Sequence, residues 1–154
     1  MIDRADTPGV LAPPPLLFLA ALVAGLLLDR LVWRQAIGAS GWTWIVVTAL
    51  LGLGGALIAS AGFAFRRADT PPAPWRPTRA IAAAGPYRFT RNPMYVGMAA
   101  IYLGIAISAD SLPTLALLCP LMIVVDVFVV RREERYLEEK FGAPYRNYRA
   151  GVRR

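Results

Sequence analysis

The stretch GPYRFTRNPMYVG, residues 85–97, gathers two arginines, two tyrosines, an asparagine and two prolines at the entrance to an apolar run. Asn92-Pro93 predicts a helix start, with asparagine at the N-cap and proline at the first helical position. The first amides of such a helix lack backbone partners and its dipole adds positive potential, while Arg88 and Arg91 add full charges. That combination can hold an anion. Tyr87 and Tyr95 contribute hydroxyls and ring faces. The same residues also suit a plain membrane anchor, a capped helix with snorkelling arginines and interfacial tyrosines, and the local pattern leaves both readings open.

A second stretch, RREERYLEEKFGAPYRNYRAGVRR (131–154), is highly charged. Residues 131–141 predict a helix capped by Gly142 and not continued past Pro144. Arg135 with Glu139 and Arg131 with Glu134 are spaced for ion pairs along it. Val130, Leu137 and Phe141 make an apolar seam, with Glu133 and Glu134 on or beside it. Carboxylates there face either a solvated edge or a polar pocket. If the two stretches are neighbours, positive potential meets two carboxylates. A zwitterionic, partly cationic ligand fits such a pair, and S-adenosylmethionine is one: an α-carboxylate, an α-ammonium, a sulfonium and an adenine that wants an aromatic or apolar slot.

The elements that must position these residues are apolar. Of the 154 residues 56% are hydrophobic, and they fall in blocks at about 14–33, 41–65, 94–109 and 112–130. A helix that crosses the hydrocarbon core needs ~20 apolar residues; the third block is short by that measure. The second block has no charge and no polar face, as expected of a helix in lipid. The fold class expected is all-α: an integral membrane bundle of four transmembrane helices with a cytoplasmic C-terminal helix and a basic loop, forming a single domain over 1–154. Asp110-Ser111 allows only a tight hairpin between the third and fourth spans. The lead-in to the first span carries Asp3 and Asp6 against Arg4, unlike a signal peptide's basic start, so that span is expected to be retained.

Basic residues orient the bundle. Arg4, six arginines at 66–91 and eight basic residues after position 130 make 15 of the 17, all on one side of a four-span protein. The positive-inside rule makes that side the cytoplasm, and topology explains the net charge of +7 without nucleic-acid binding. Pro71, Pro72, Pro74 and Pro77 rule out regular helix in the second link, and Trp75 suits the headgroup layer. Gly52, Gly54, Gly55, Gly62, Gly97 and Gly104 read as packing positions between membrane helices. The lone Cys119 is assigned to packing. With no histidine and one cysteine, no metal site is expected.

The two quoted motifs, in this order and separated by a helical hairpin, resemble those of the isoprenylcysteine carboxyl methyltransferase family and, more distantly, of the phospholipid N-methyltransferases. The similarity covers about 78–154. It implies S-adenosylmethionine as methyl donor, held from the cytoplasmic side, and a lipophilic small-molecule acceptor (carboxylate, thiol or amine) entering from the bilayer. By position it implies a cofactor pocket of Tyr87, Arg91, Asn92, Pro93, Met94, Tyr95, Glu133 and Glu134, with backbone contacts from Ile81 and Ala82. Glu133, Glu134 and Arg131 are the candidate catalytic groups, and Tyr145, Tyr148 and Arg154 belong to a tail that folds back as a lid or brace. Two positions depart from the pattern. Asn92 stands where the family has histidine and cannot titrate near neutrality. Val129 stands where the carboxyl methyltransferases place an arginine for the substrate carboxylate, a role for which Arg131 or Arg132 lies on a different face. A non-catalytic subunit that keeps the fold and an NADPH-binding reductase-like protein are the alternative readings.

Overall fold

A computed structural model describes residues 7–10, 12–71 and 76–154. Trp75, Pro72 and Pro74, and the acidic lead-in with Arg4, lie outside the described residues. The elements are α1 (Pro14–Leu31), α2 (Thr43–Arg67), a 3-10 turn (Gly85–Arg88), α3 (Pro93–Ser108), α4 (Leu112–Val125), a π turn (Asp126–Val130), α5 (Arg131–Phe141) and α6 (Ala143–Gly151).

α1, α2 and the run from Leu112 to Phe141 are long and apolar enough to cross a membrane, and α3 is a shorter apolar helix. The apolar part of the long run ends at Val130, because α5 is dominated by charged residues. Large apolar side chains such as Leu19 and Leu27 on α1, Ile45 and Phe63 on α2 and Ile123 on α4 face outward. They are the surface that lipid covers. Cys119 also faces outward, correcting its assignment to packing.

α3 is the hub, in contact with α1, α2 and α4. Its approach to α2 is a backbone contact: a Cβ on Gly97 would lie 2.8 Å from the Gly54 carbonyl oxygen, and one on Gly54 would lie 2.7 Å from that of Gly97. Gly104 packs similarly on Leu51, whereas Gly52, Gly55 and Gly62 face open space. On the other side Phe18, Tyr102, Val125 and Val129 form the main core, and the Tyr102 hydroxyl donates to the Thr114 carbonyl at 2.9 Å.

The hairpin link is locked at the end remote from the charged motifs. Asp110 has φ +50° and its Oδ1 accepts from the amides of Ile37, Gly38 and Ala39, each at 3.0 Å. These amide bonds, chiefly that of Ala39, lower its pKa. The α1–α2 and α3–α4 links are thereby tied together.

One feature differs from the sequence expectation. The π turn inserts an extra residue before α5, which re-aims every later side chain on the helix. α5 ends at Phe141 with Gly142 as its cap, as expected; Gly142, at φ +60°, turns the chain, and Pro144 sits in the first turn of a further helix, α6.

Candidate functional site

The start of α3 and the start of α5 face each other across a cavity of roughly 840 Å³ of space, its open mouth included. Ile81, Ala82, Tyr87, Arg91, Asn92, Met94, Tyr95, Glu133 and Glu134 all line it, as expected from the two motifs. Pro93 does not; its side chain is fully buried beneath the site. Arg131 does not either. Its guanidinium turns to Asp126, with Nε 2.9 Å from Oδ2, so the expected catalytic placement of Arg131 is corrected, and so is its pairing with Glu134.

Each wall has a local cause. Gly85, at φ +60°, starts the 3-10 turn that drives Tyr87 inward, where its ring meets Phe65 of α2 edge-on at 5.3 Å. Asn92 occupies the N-cap of α3, but its side chain makes no capping bond. Its carbonyl instead accepts from the Tyr95 and Val96 amides, each at 3.1 Å. The row of free amides expected at this helix start is therefore reduced to that of Met94 in the first turn, because Pro93 has none. The positive character of the site comes from Arg91.

On the acidic side, the Tyr95 hydroxyl donates to Glu133, 2.8 Å from Oε1 and 2.9 Å from Oε2. Burial pushes the Glu133 carboxyl up to about 7; the Tyr95 bond opposes this and the neighbouring Glu134 adds to it. Burial also raises the Tyr87 hydroxyl, with Glu133 and Tyr148 acting in the same direction. Glu134 is held differently. Arg154 grips it through Nε (3.1 Å to Oε1) and Nη2 (2.5 Å to Oε2). Arg91 Nη1 lies 2.7 Å from Glu134 Oε1 but off the N–H direction, so that Arg91 Nε and Nη1 are buried without a hydrogen-bond acceptor among the described residues.

The tail closes the site from outside. Arg153 pairs with Thr90 in a parallel bridge, its carbonyl accepting from the Arg91 amide at 2.9 Å. The Tyr148 hydroxyl donates to the Tyr87 carbonyl at 2.7 Å, and Tyr145 is 2% exposed. The expected brace is thus present.

Sequence reasoning missed the remaining walls. Phe65, in the last turn of α2, and Pro8, Pro71 and Tyr136 also line the cavity. Tyr136 lies one helical turn beyond Arg132 on α5 and accepts from the Thr78 amide at 3.1 Å, a pairing that no motif signals. Tyr95→Phe is expected to remove the donor on Glu133 while leaving the ring in place. Binding of an anion-compensated cation at Glu133 should then change by less than about tenfold, because one hydrogen bond to a charged group contributes about 1.5–3 kcal/mol before water replaces it. Parallel calorimetric titrations of the two proteins measure that difference.

No curated protein and no solved structure gives a significant match to the chain. The profile of the phospholipid methyltransferase family matches residues 42–144, from the start of α2 through α5 and so through both walls of the cavity. A membrane-helix bundle carrying these two motifs on facing walls agrees with that match over more than half of its length, and the chain belongs to the phospholipid methyltransferase family.

Proposed function

We propose that the protein transfers a methyl group from S-adenosylmethionine to a lipophilic acceptor, with the cofactor in the cavity between the 85–97 motif and α5. The observation that carries this reading is the pairing of opposite demands in one small space. Arg91, ion-paired to Glu134 at 2.7 Å, keeps two buried nitrogens without a hydrogen-bond acceptor among the described residues, and the Glu133 carboxyl is met there by the Tyr95 hydroxyl. An unsatisfied buried donor costs about 1–3 kcal/mol and selects an anion to meet it. Arg91 would hold the cofactor's α-carboxylate, and Glu133, oriented by Tyr95, its ammonium. Tyr87 and Phe65 would flank the adenine, with Ile81 and Ala82 supplying backbone.

When bound, the cofactor supplies an electrophilic methyl group on a sulfonium. The residues of this chain bind, orient and exclude water; positioning a reacting pair contributes up to ~7–11 kcal/mol to a barrier. A carboxylate or thiolate acceptor needs no base; an amine acceptor must also lose a proton, and Glu133, paired with the cofactor's ammonium, is not the group that takes it. Val129 is buried in the core at 1% exposure, so that position offers no cation for an acceptor carboxylate. The positive-inside distribution of basic residues supports a cytoplasmic site with both termini on that side, and a bilayer route for the acceptor.

Purified protein in detergent should bind S-adenosylhomocysteine saturably in calorimetry; no heat of binding at millimolar ligand would contradict the proposal. The affinity should also depend on pH. Glu133 is up to about 7 in the free protein and must be ionised to hold the ammonium. Protons therefore compete with ligand, and affinity should fall by up to tenfold per unit from about pH 7 to about pH 5.5, where an α-amino group remains protonated. Glu133→Gln should bind more weakly and lose this slope. A wild-type profile that is flat, or rises toward acid, would show that Glu133 does not meet the cation.

A further inference from the structure

We propose that Arg154 is a positioning residue that makes the site selective for a carboxylate-bearing ligand, by holding both oxygens of Glu134 so that Arg91, ion-paired to the same carboxylate at 2.7 Å, keeps two buried nitrogens off the hydrogen-bond line; this rests on the cofactor reading above. Around Glu134 there are more cations than anions. Among the described residues the ion-pair partners of Arg91, Arg131 and Arg154 are Glu134 and Asp126, through Arg91–Glu134, Arg131–Asp126, Arg154–Asp126 and Arg154–Glu134 contacts. The distribution is uneven. Arg154 takes both oxygens of Glu134 in a fork and reaches Asp126 Oδ1 at 3.1 Å with Nη1. Arg91, next to the same carboxylate at 2.7 Å, is left misaligned with buried Nε and Nη1 unsatisfied.

The backbone explains why these two arginines meet one carboxylate. The bond from the Arg91 amide to the Arg153 carbonyl sets residues 90–91 alongside 153, which brings Arg154 and Arg91 to Glu134 from two directions. A fork on a carboxylate is a stronger and more directional arrangement than a single off-line contact. Removing Arg154 would leave both Glu134 oxygens to the nearest guanidinium, that of Arg91. Arg91 would then turn onto Glu134, satisfy its own donors and lose its demand for a ligand anion. The Arg154 side chain is 44% exposed, against 10% for Glu134 and 12% for Arg91. Water can therefore fill the space it leaves, and the effect falls on Arg91 rather than on the core.

The test compares S-adenosylhomocysteine with its decarboxylated analogue, which keeps the adenosine, thioether and ammonium. In Arg154→Ala, affinity for S-adenosylhomocysteine should fall about tenfold, the scale of one hydrogen bond to a charged group, while affinity for the analogue changes by less than about twofold. Adding Glu134→Gln to Arg154→Ala should recover much of the loss, because the competing carboxylate is gone. Arg154→Lys keeps a charge on Glu134 without the fork and should show a smaller loss with the same ligand preference; it carries the test should the alanine variant fail to fold. An equal loss for both ligands, no loss for either, or no recovery in the double variant would overturn the proposal and leave Arg154 a brace. Wild-type protein that binds both ligands equally would assign Arg91 to an anion on the acceptor, such as a lipid phosphate, and also overturn it. Wild-type protein that binds neither would instead overturn the cofactor reading.

Discussion

Arg91→Ala is expected to lower affinity for S-adenosylhomocysteine by about a hundredfold, with the protein still folded. Two buried Arg91 nitrogens meet no hydrogen-bond acceptor among the described residues, and hydrogen bonds to charged groups contribute about 1.5–3 kcal/mol each. The loss of both, less what water restores, comes to about 3 kcal/mol, or roughly two decades. Stability should change little, because Glu134 keeps the Arg154 fork and the Arg91 backbone amide keeps the Arg153 carbonyl. Arg91→Lys should recover only part of the affinity, since an ammonium is a point charge and not a planar fork. Titration calorimetry beside a thermal melt separates the two quantities. An unchanged affinity in Arg91→Ala would remove the anion half of the site.

The largest structural effect is expected from Gly97→Leu. The new Cβ would sit 2.8 Å from the Gly54 oxygen and 2.8 Å from Ile58 Cγ1, and the first of these is backbone that cannot swing away. Overpacking a well-filled contact costs about 1–3 kcal/mol, more where the obstacle is rigid. Here the helices must part, and α3 carries Arg91, Asn92 and Tyr95 at or just before its start. A lower melting temperature and loss of cofactor binding should therefore occur together. Gly55→Ala, which would add a Cβ in open space on α2, should leave both unchanged. If Gly97→Leu melts like the parent, the backbone contact between α2 and α3 is not what holds the cavity walls together.

The parts of this site that could be read from the sequence are those encoded within a few residues. Asn92-Pro93 starts α3 because a residue without an amide fits only the first turn, and the structure begins the helix at Pro93. Glu133 and Glu134 flank an apolar seam, and the carboxylates that cannot lie in lipid line the cavity. What was not legible depends on geometry accumulated along the chain. Arg131 was a candidate catalytic group although helical spacing set it on a different face, and its guanidinium goes to Asp126, five residues earlier across the π turn. α5 stops at Gly142 as the sequence indicated, but that Pro144 helps to begin a further helix, α6, was not read. Asn92 stands at the N-cap, but its side chain makes no capping bond, and only its carbonyl serves the first turn. Glu134 was paired along its own helix, whereas its partners are Arg91 and Arg154, remote in sequence and brought in by the tail. Spacing rules describe one helix at a time, and they are silent on such contacts.

The central claim is that the start of α3 and the start of α5 share one small molecule. A high-resolution structure of the protein with S-adenosylhomocysteine tests it most directly. Ligand density is predicted between Arg91 and Glu133, with the carboxylate on the Arg91 guanidinium and the ammonium at the Glu133 carboxylate. Density bound elsewhere on the protein, or a cavity filled only by ordered water at saturating ligand, would contradict it.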